Sequence, residues 1–423
     1  MKFTPFWQDD CPRPADLPVA DEPPGNVDVA IVGSGYTGLN AARVLAATGA
    51  RVAVLERHTI GWGASSRNGG MATPGIKQAQ SVIRKRYGEE LARKFWQASL
   101  DAIDLLDEIV TTEGIDCAWR RCGHVQLAAK ASHFPMLQEK AVSFQREYGH
   151  RYRVLERSQL TEEIGSRYHF GGLVDEYSGG LHPARYVYGL ARVAARRGAT
   201  LCEQTDVRRI RRAGSRFVLE TGKGEVEAVE VLVCTNGYTD ELVPGLKARV
   251  FPVGSYIIVT APLPADLQDR LSPNRRMYYT TKNFLNYFRL TPDGRMLWGG
   301  RNDLSTDLDL ETSAKILYRQ LCSVFPELHD YPPTHSWSGH LGLTFDLMPH
   351  IGRIQGVHYA FGYGGHGLSI ATYVGTEAGL LLAGKKASSP FAEIPHPTMF
   401  FYRKRPWFLP AVAQYYRLLD RVS

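Results

Sequence analysis

The first residues able to do chemistry stand at Gly33-Ser34-Gly35-Tyr36-Thr37-Gly38, a G-x-G-x-x-G run. It follows the apolar, β-branched stretch 27–32, opens a segment of helical periodicity over 39–48, and precedes a second buried run over 51–56. In that setting the glycines have separate duties. Gly33 permits a tight turn, Gly35 lets a pyrophosphate approach the backbone, and Gly38 lets helix and strand pack closely. The free amides of the helix N-terminus favour phosphate. Glu56, about 20 residues on, ends the second strand, where an acid accepts from both ribose hydroxyls and disfavours a 2′-phosphate. NAD and FAD share this fingerprint, so the motif alone leaves the choice open.

The next stretch, Ile60-Gly61-Trp62-Gly63-Ala64-Ser65-Ser66-Arg67-Asn68-Gly69-Gly70-Met71, is rich in glycine and small hydroxyls. Such a loop can pass close to a flat ring system and a pyrophosphate, where an NAD enzyme would move straight to a helix; a mobile surface loop is the competing reading. A second cluster, Gly362-Tyr363-Gly364-Gly365-His366-Gly367, also follows a strand and opens an apolar helix. No strand-ending acid follows it, so a second dinucleotide site is not expected. Its helix N-terminus suits the electron-rich edge of a reduced flavin, with His366 at the ring. Tyr256, Tyr287, Tyr363, Trp298 and Trp337 are available for an aromatic cage, with core packing as their other role. Arg67, Arg289 and Arg301 are available for a substrate carboxylate, with surface ion pairing as theirs. No acid–base dyad stands out.

These residues need elements to carry them. The run 27–56 is one βαβ unit, the size a parallel crossover requires. Helical spacing marks two helices over 81–114 and others over 131–148, 183–197, 311–325 and 368–383. Residues 250–300 read as antiparallel strands joined at Pro292-Asp293-Gly294. The prolines at 12, 14, 18, 23 and 24 oppose a helix, so 1–26 reads as an extended arm. The expected division is a dinucleotide domain built from 27–84, 151–249 and 339–390. A substrate domain of 85–150 and 250–338 is interleaved with it, and a tail of 391–423 follows.

Length and composition agree. About 150 residues per domain suggest two or three domains. With 44% hydrophobic and 22% charged residues the chain is ordinary globular protein, neither disordered nor fibrous. The net charge of +7 is mild, and the short clusters Arg84-Lys85-Arg86 and Arg208-Arg209 with Arg211-Arg212 read as solvated faces, not a nucleic-acid surface. Six cysteines lack metal spacing, so no metal site is expected and they read as reduced. No apolar run approaches the ~18–20 residues of a membrane span, and the polar, proline-rich start lacks a signal core; a cytoplasmic protein without an integral membrane segment is expected.

The sequence resembles the FAD-dependent amine and D-amino-acid oxidase (DAO) family, and within it the gamma-glutamylputrescine oxidase group. The resemblance rests on Val29-Ala30-Ile31-Val32-Gly33-Ser34-Gly35-Tyr36-Thr37-Gly38-Leu39, Gly63-Ala64-Ser65-Ser66-Arg67-Asn68-Gly69-Gly70 and Ser178-Gly179-Gly180-Leu181-His182-Pro183. Asn286-Tyr287-Phe288-Arg289-Leu290-Thr291, Met348-Pro349-His350-Ile351-Gly352-Arg353, Gly364-Gly365-His366-Gly367 and the tail Tyr415-Tyr416-Arg417-Leu418-Leu419-Asp420-Arg421 extend it. It implies a Rossmann-like FAD domain of the glutathione-reductase type, α/β, with an α+β substrate domain. FAD would lie against Gly33, Ser34, Gly35, Tyr36, Thr37 and Gly38 at its pyrophosphate, and against Glu56 with Arg57 at the ribose. Val207 would meet adenine, and Cys234 to Gly237, with Asn236, would close the phosphate side. Ala64, Ser65, Ser66, Arg67, Asn68, Gly69, Gly70 and Met71 would line the flavin, with Gly365, His366, Gly367 and Leu368 at its carbonyl end.

Asn68 stands where some relatives carry a linking His, and no Cys lies near 340–344, so non-covalent FAD is implied. The implied reaction removes a hydride from the carbon beside nitrogen of an amine or amino acid, giving an imine that hydrolyses. Tyr287, His366 and Tyr256 are the expected catalytic residues. Leu297 falls where sarcosine oxidases place a Lys over the flavin, so oxygen and an electron carrier both stand as acceptors. A dehydrogenase and a non-catalytic nucleotide-binding protein are the other readings. Oligomeric state is left open.

Overall fold

The structure, a computed structural model, describes residues 1–301 and 303–422. Two eight-stranded sheets form, with a two-stranded ribbon between Met71–Ala72 and Gly179–Gly180. In the first sheet Asn26–Val32 is central. It pairs in parallel with Val52–Leu55 on one side and Gly224–Val233 on the other. Thr200–Cys202 and Val357–Phe361 extend the parallel set, and His350–Ile354 closes one edge antiparallel. The unbroken apolar run reflects burial on both faces. Val29 and Ile31 enter the core shared with the helices, while Val27, Ala30 and Val32 enter a second core with Phe217 and Leu219.

Two helices set the site. Tyr36–Ala46 and Gly367–Leu382 lie side by side because Gly375 and Gly379 leave room. A Cβ on Gly375 would collide with the Thr37 carbonyl, and one on Gly379 would sit 2.9 Å from Val44 Cβ. Each helix begins at one of the two glycine turns, so this contact brings both turns to one place.

The second sheet runs in the order Pro333–Leu343, Phe251–Pro262, Arg295–Gly300, Asn286–Leu290, Met277–Thr280, His124–Leu127, Gly171–Asp175, Arg153–Glu156. Strand alternation assigns its faces. Tyr256, Ile258, Tyr278, Phe288 and Trp298 point outward and pack under the helix Leu310–Val324. Ile257, Val259, Leu297 and Trp337 point inward and join the core of the first domain.

Several expectations change. The strands Arg153–Glu156 and Gly171–Asp175 belong to the substrate sheet, so the dinucleotide segment does not begin at 151. The strand Pro333–Leu343 crosses the boundary placed at 338. The substrate sheet is not wholly antiparallel, since Met277–Thr280 pairs in parallel with His124–Leu127. The arm is not simply extended: a short helix, Phe6–Asp10, forms between its prolines, with Phe6 and Trp7 buried. The tail carries the helix Leu409–Val422 and is described to residue 422. Among the described residues no helix is long and apolar enough to cross a membrane.

Candidate active site

One long cavity runs between the two sheets, from Glu56, Arg57 and Val207 at one end, past residues 33–37, to Tyr279, Leu285, Tyr287 and Arg301 at the other. The first glycine turn behaves as its chemistry requires. Gly33 has φ of +102°, and a Cβ on Gly35 would meet Ser65 Oγ at 2.9 Å. A Cβ on Gly38 would overlap the Gly33 carbonyl, so Gly38 serves packing and does not line the cavity. Neither helix N-terminus is capped by its own N-cap side chain, at Gly35 or at His366, and both open on the cavity. Two such termini give an anion the partners it needs. This arrangement fits the diphosphate and the ring carbonyls of FAD.

At the end of the cavity lined by Arg57 and Val207, Glu56 accepts from Ser34 N at 3.0 Å and Ser34 Oγ at 2.7 Å with one oxygen, and from His58 N at 2.9 Å with the other. A carboxylate has about four acceptor sites, so capacity for ribose hydroxyls is left. Ser34 is turned to Glu56 and Gly61, shaping the turn. Arg57 pairs with Asp206 and Asp240 beside Val207. Asn236 lines the cavity and its Oδ1 accepts from Gly362 N at 3.0 Å. Gly237 does not face the cavity; a Cβ there would press on the His340 carbonyl at 2.8 Å.

In the loop, Ala64, Ser65, Arg67, Asn68, Gly69 and Met71 face the cavity. Ser66 and Gly70 do not. Ser66 Oγ donates to the Gly61 carbonyl at 2.6 Å, and Gly70 offers its carbonyl to Arg289 at 2.8 Å. Asn68 spends its amide on Tyr36 Oη and the Ala64 and Ser65 carbonyls. Gly365, His366, Gly367 and Leu368 line the far wall.

The expected catalytic set is corrected by strand parity. Tyr287 lies in the cavity, seated over Gly69 and Gly299, and its hydroxyl meets Ser255 Oγ at 3.0 Å. Tyr256 faces the opposite side of the sheet. It is fully buried there, with its hydroxyl donating to the Ser305 carbonyl at 2.8 Å, and it has no access to the cavity. Trp298 shares that outer face, stacked on Phe288 at 4.5 Å. Trp337 lies behind the loop and donates to the Arg67 carbonyl at 2.9 Å. Tyr363 lines the cavity, its hydroxyl 2.7 Å from Thr37 Oγ1. Of the named cage only Tyr287 and Tyr363 remain, joined by Tyr279, which pairs across the strands with Tyr287.

The three arginines separate in the same way. Arg289 is buried and bonded to the Gly70 and Leu181 carbonyls, and burial lowers it to about 10. Arg67 bonds the Trp62 and Ser338 carbonyls and lies over the Trp62 ring. Arg301 is half-buried at the cavity wall with no hydrogen bond or ion pair to a described residue, its Nη2 3.5 Å from where a Cβ on Gly365 would project. Lys77 stands beside it, unforeseen. Its stem lies so close to Gly364 that a Cβ there would be 2.7 Å from its own, and burial together with the Arg301 charge lowers it to about 8. It too has no acidic partner among the described residues. The only sequence signal for Lys77 is its place where the glycine-rich loop leaves for the helix Gln80–Tyr87. His366 is held neutral, down to about 3, by burial first and then by Lys77 and Arg301, and its Nδ1 has no partner. Among the described residues the acids that line the cavity are Glu56, Asp206 and Asp240, at the end that holds Arg57 and Val207. The far end is therefore cationic and aromatic.

Comparison with known proteins agrees with this geometry. Residues 28–379 match the DAO family, described as FAD dependent oxidoreductase. The chain is 32% identical over 404 residues to "Probable oxidoreductase OrdL" of Haemophilus influenzae, covering 94% of this chain and 92% of that protein. It is 32% identical over 400 residues to "Gamma-glutamylputrescine oxidoreductase" of Escherichia coli, covering 94% and 93%. The fold is shared with the crystal structure of glycine oxidase from Geobacillus kaustophilus, with a TM-score of 0.77 and 24% identity over 88% of this chain and 100% of that one. With fold, glycine turns and cavity in agreement, the chain belongs to the DAO family of FAD-dependent oxidoreductases that act on amines or amino acids.

Proposed function

We propose that the protein oxidises the C–N bond of an amine that also carries a carboxylate, an amino acid or a γ-glutamyl amine, using non-covalently held FAD. The observation that carries this reading is the pair Lys77 and Arg301 at the far end of the cavity, half-buried and without an acidic partner among the described residues. The name of the Escherichia coli relative supports a γ-glutamylputrescine-like substrate.

Bound FAD supplies the two-electron acceptor for a hydride from carbon. The protein must hold that carbon in place and favour the neutral amine. A free alkylamine has a pKa near 10, so neutralising it at pH 7 costs about 4 kcal/mol. Desolvation inside the cavity and the like charges of Lys77 and Arg301 both disfavour an ammonium there, which lowers that cost. The same two cations give a carboxylate its counter-charge. A plain polyamine, with a second ammonium and no anion, meets only repulsion at that end. One of the Tyr287 and Ser255 hydroxyls donates to the other at 3.0 Å, which leaves one hydroxyl proton free to orient the amine by a hydrogen bond, and His366 lines the same cavity as a neutral ring. Non-covalent attachment is supported by Asn68, whose side chain is committed to the loop.

Oxygen is the proposed acceptor, and an electron carrier is the alternative. The test is anaerobic. Amines and amino acids are added in turn to the yellow protein, and bleaching of the flavin identifies the reductant. Carboxylate-bearing amines are expected to bleach it, and admitted air to restore the colour. Absence of bleaching by any amine or amino acid overturns the proposal; colour restored only by an artificial carrier selects the alternative.

A further inference from the structure

The wall of the cavity formed by residues 64–71 is held from behind by four donors from distant parts of the chain. Ser66 Oγ accepts from Gln8 Nε2 at 2.6 Å, and the Arg67 carbonyl from Trp337 Nε1 at 2.9 Å. The Asn68 carbonyl accepts from Trp7 Nε1 at 2.8 Å, and the Gly70 carbonyl from Arg289 at 2.8 Å. Two of the four come from the arm that precedes the first strand. Trp7 is fully buried, its ring edge-on to His182 at 4.7 Å and capped by the Arg289 guanidinium at 5.7 Å.

The arm is fastened on both sides of this contact. Lys2 N donates to the Thr334 carbonyl at 2.7 Å, on the edge strand of the substrate sheet, and Asp9 meets His335 at 3.0 Å. Asp10 meets His182 at 3.1 Å. Farther on, Arg13 donates to Glu203 at 2.7 Å, the same carboxylate oxygen that accepts from Ile60 N, and Ala20 N donates to the Leu201 carbonyl at 2.8 Å in the dinucleotide sheet. The arm thus crosses from one sheet to the other and passes behind the loop on its way.

We infer that Trp7 and Gln8 are positioning residues for the cofactor: they hold the flavin-facing loop in its binding shape from the side away from the flavin. A glycine-rich loop has many conformations to lose, and a loop already fixed loses fewer when FAD binds. Neither residue lines the cavity, so any effect on FAD passes through the loop. The inference rests on the cofactor and not on the proposed substrate.

The test uses the full chain. Trp7→Phe keeps the ring and removes the donor, and Gln8→Ala removes the second tie. Trp298→Phe is the control, a fully buried tryptophan in the substrate sheet whose Nε1 has no partner among the described residues. FAD affinity is read by quenching of flavin fluorescence on titration with apoprotein, loop order by amide hydrogen exchange over 64–71, and global stability by thermal unfolding of the apoprotein. Trp7→Phe should weaken FAD binding about tenfold and speed exchange over 64–71, with an unfolding midpoint close to that of Trp298→Phe. Gln8→Ala should do the same to a smaller degree. FAD affinity and loop exchange equal to wild type, or changed no more than in Trp298→Phe, overturn the inference. A wild-type protein that binds no FAD would instead refute the cofactor assignment, so the two failures are distinct.

Discussion

Replacing Arg301 with Met tests the substrate assignment most directly. The side chain keeps an unbranched apolar stem, is shorter by the guanidinium, loses its charge, and breaks no hydrogen bond to a described residue, so folding should be little affected. Two unit charges about 4 Å apart at an effective dielectric near 20 attract by about 4 kcal/mol. Desolvation of the incoming carboxylate offsets roughly half of that, leaving about 2 kcal/mol, within the range for hydrogen bonds to charged groups. That corresponds to about a 30-fold fall in kcat/KM. The loss should appear mainly in KM, because the carboxylate keeps its charge through the reaction and is held alike in ground and transition states. The assay is anaerobic flavin reduction with two substrates that differ only in the carboxylate. Wild type should favour the acid, and Arg301→Met should lose most of that preference while handling the decarboxylated amine nearly as before. Lys77→Met should behave in the same way. Equal losses on both substrates, or a wild type that prefers the decarboxylated amine, would refute the reasoning.

Lys77 also sets a pH dependence. Its pKa is lowered to about 8, so the charge is present below that value and lost above it. For a carboxylate-bearing substrate kcat/KM should therefore fall as pH rises through about 8, and a pH profile of Lys77→Met should lack that limb. Gly38→Ala drives a Cβ into the Gly33 carbonyl, a backbone atom that cannot yield cheaply; calorimetry should show about 1–3 kcal/mol of lost stability, and FAD binding should fail. Tyr256→Phe removes a hydroxyl bonded to the Ser305 carbonyl and the Leu308 amide. It should cost about 1 kcal/mol in denaturant unfolding with steady-state turnover unchanged, whereas Tyr287→Phe should alter turnover.

The first glycine turn, with its flanking strands and helix, was legible in the sequence because its geometry is local. A strand, three glycines at fixed spacing, a helix and a strand-ending acid lie within one short stretch, and backbone sterics leave few ways to arrange them. The second glycine turn was legible for the same reason. In the substrate sheet the alternation of Tyr256 with Ile257, or Tyr287 with Phe288, predicts two faces but does not say which face meets the cofactor. The helix Leu310–Val324 decides that, by covering Tyr256 and Trp298 and leaving Tyr287 and Tyr279 inward.

Other features depended on chain segments meeting across the fold. Arg67, Arg289 and Arg301 look alike in sequence, and only the carbonyls packed around the first two show that they are committed to the backbone. Lys77 becomes chemically notable only where Gly364 and Arg301 crowd it, and Trp7 only where it reaches Asn68, 61 residues away. Local sequence therefore determined the conformations that a few neighbouring residues impose on one another. Burial, strand facing and the pairing or isolation of charges depend on which distant surfaces exclude water, and the tertiary packing alone decided those.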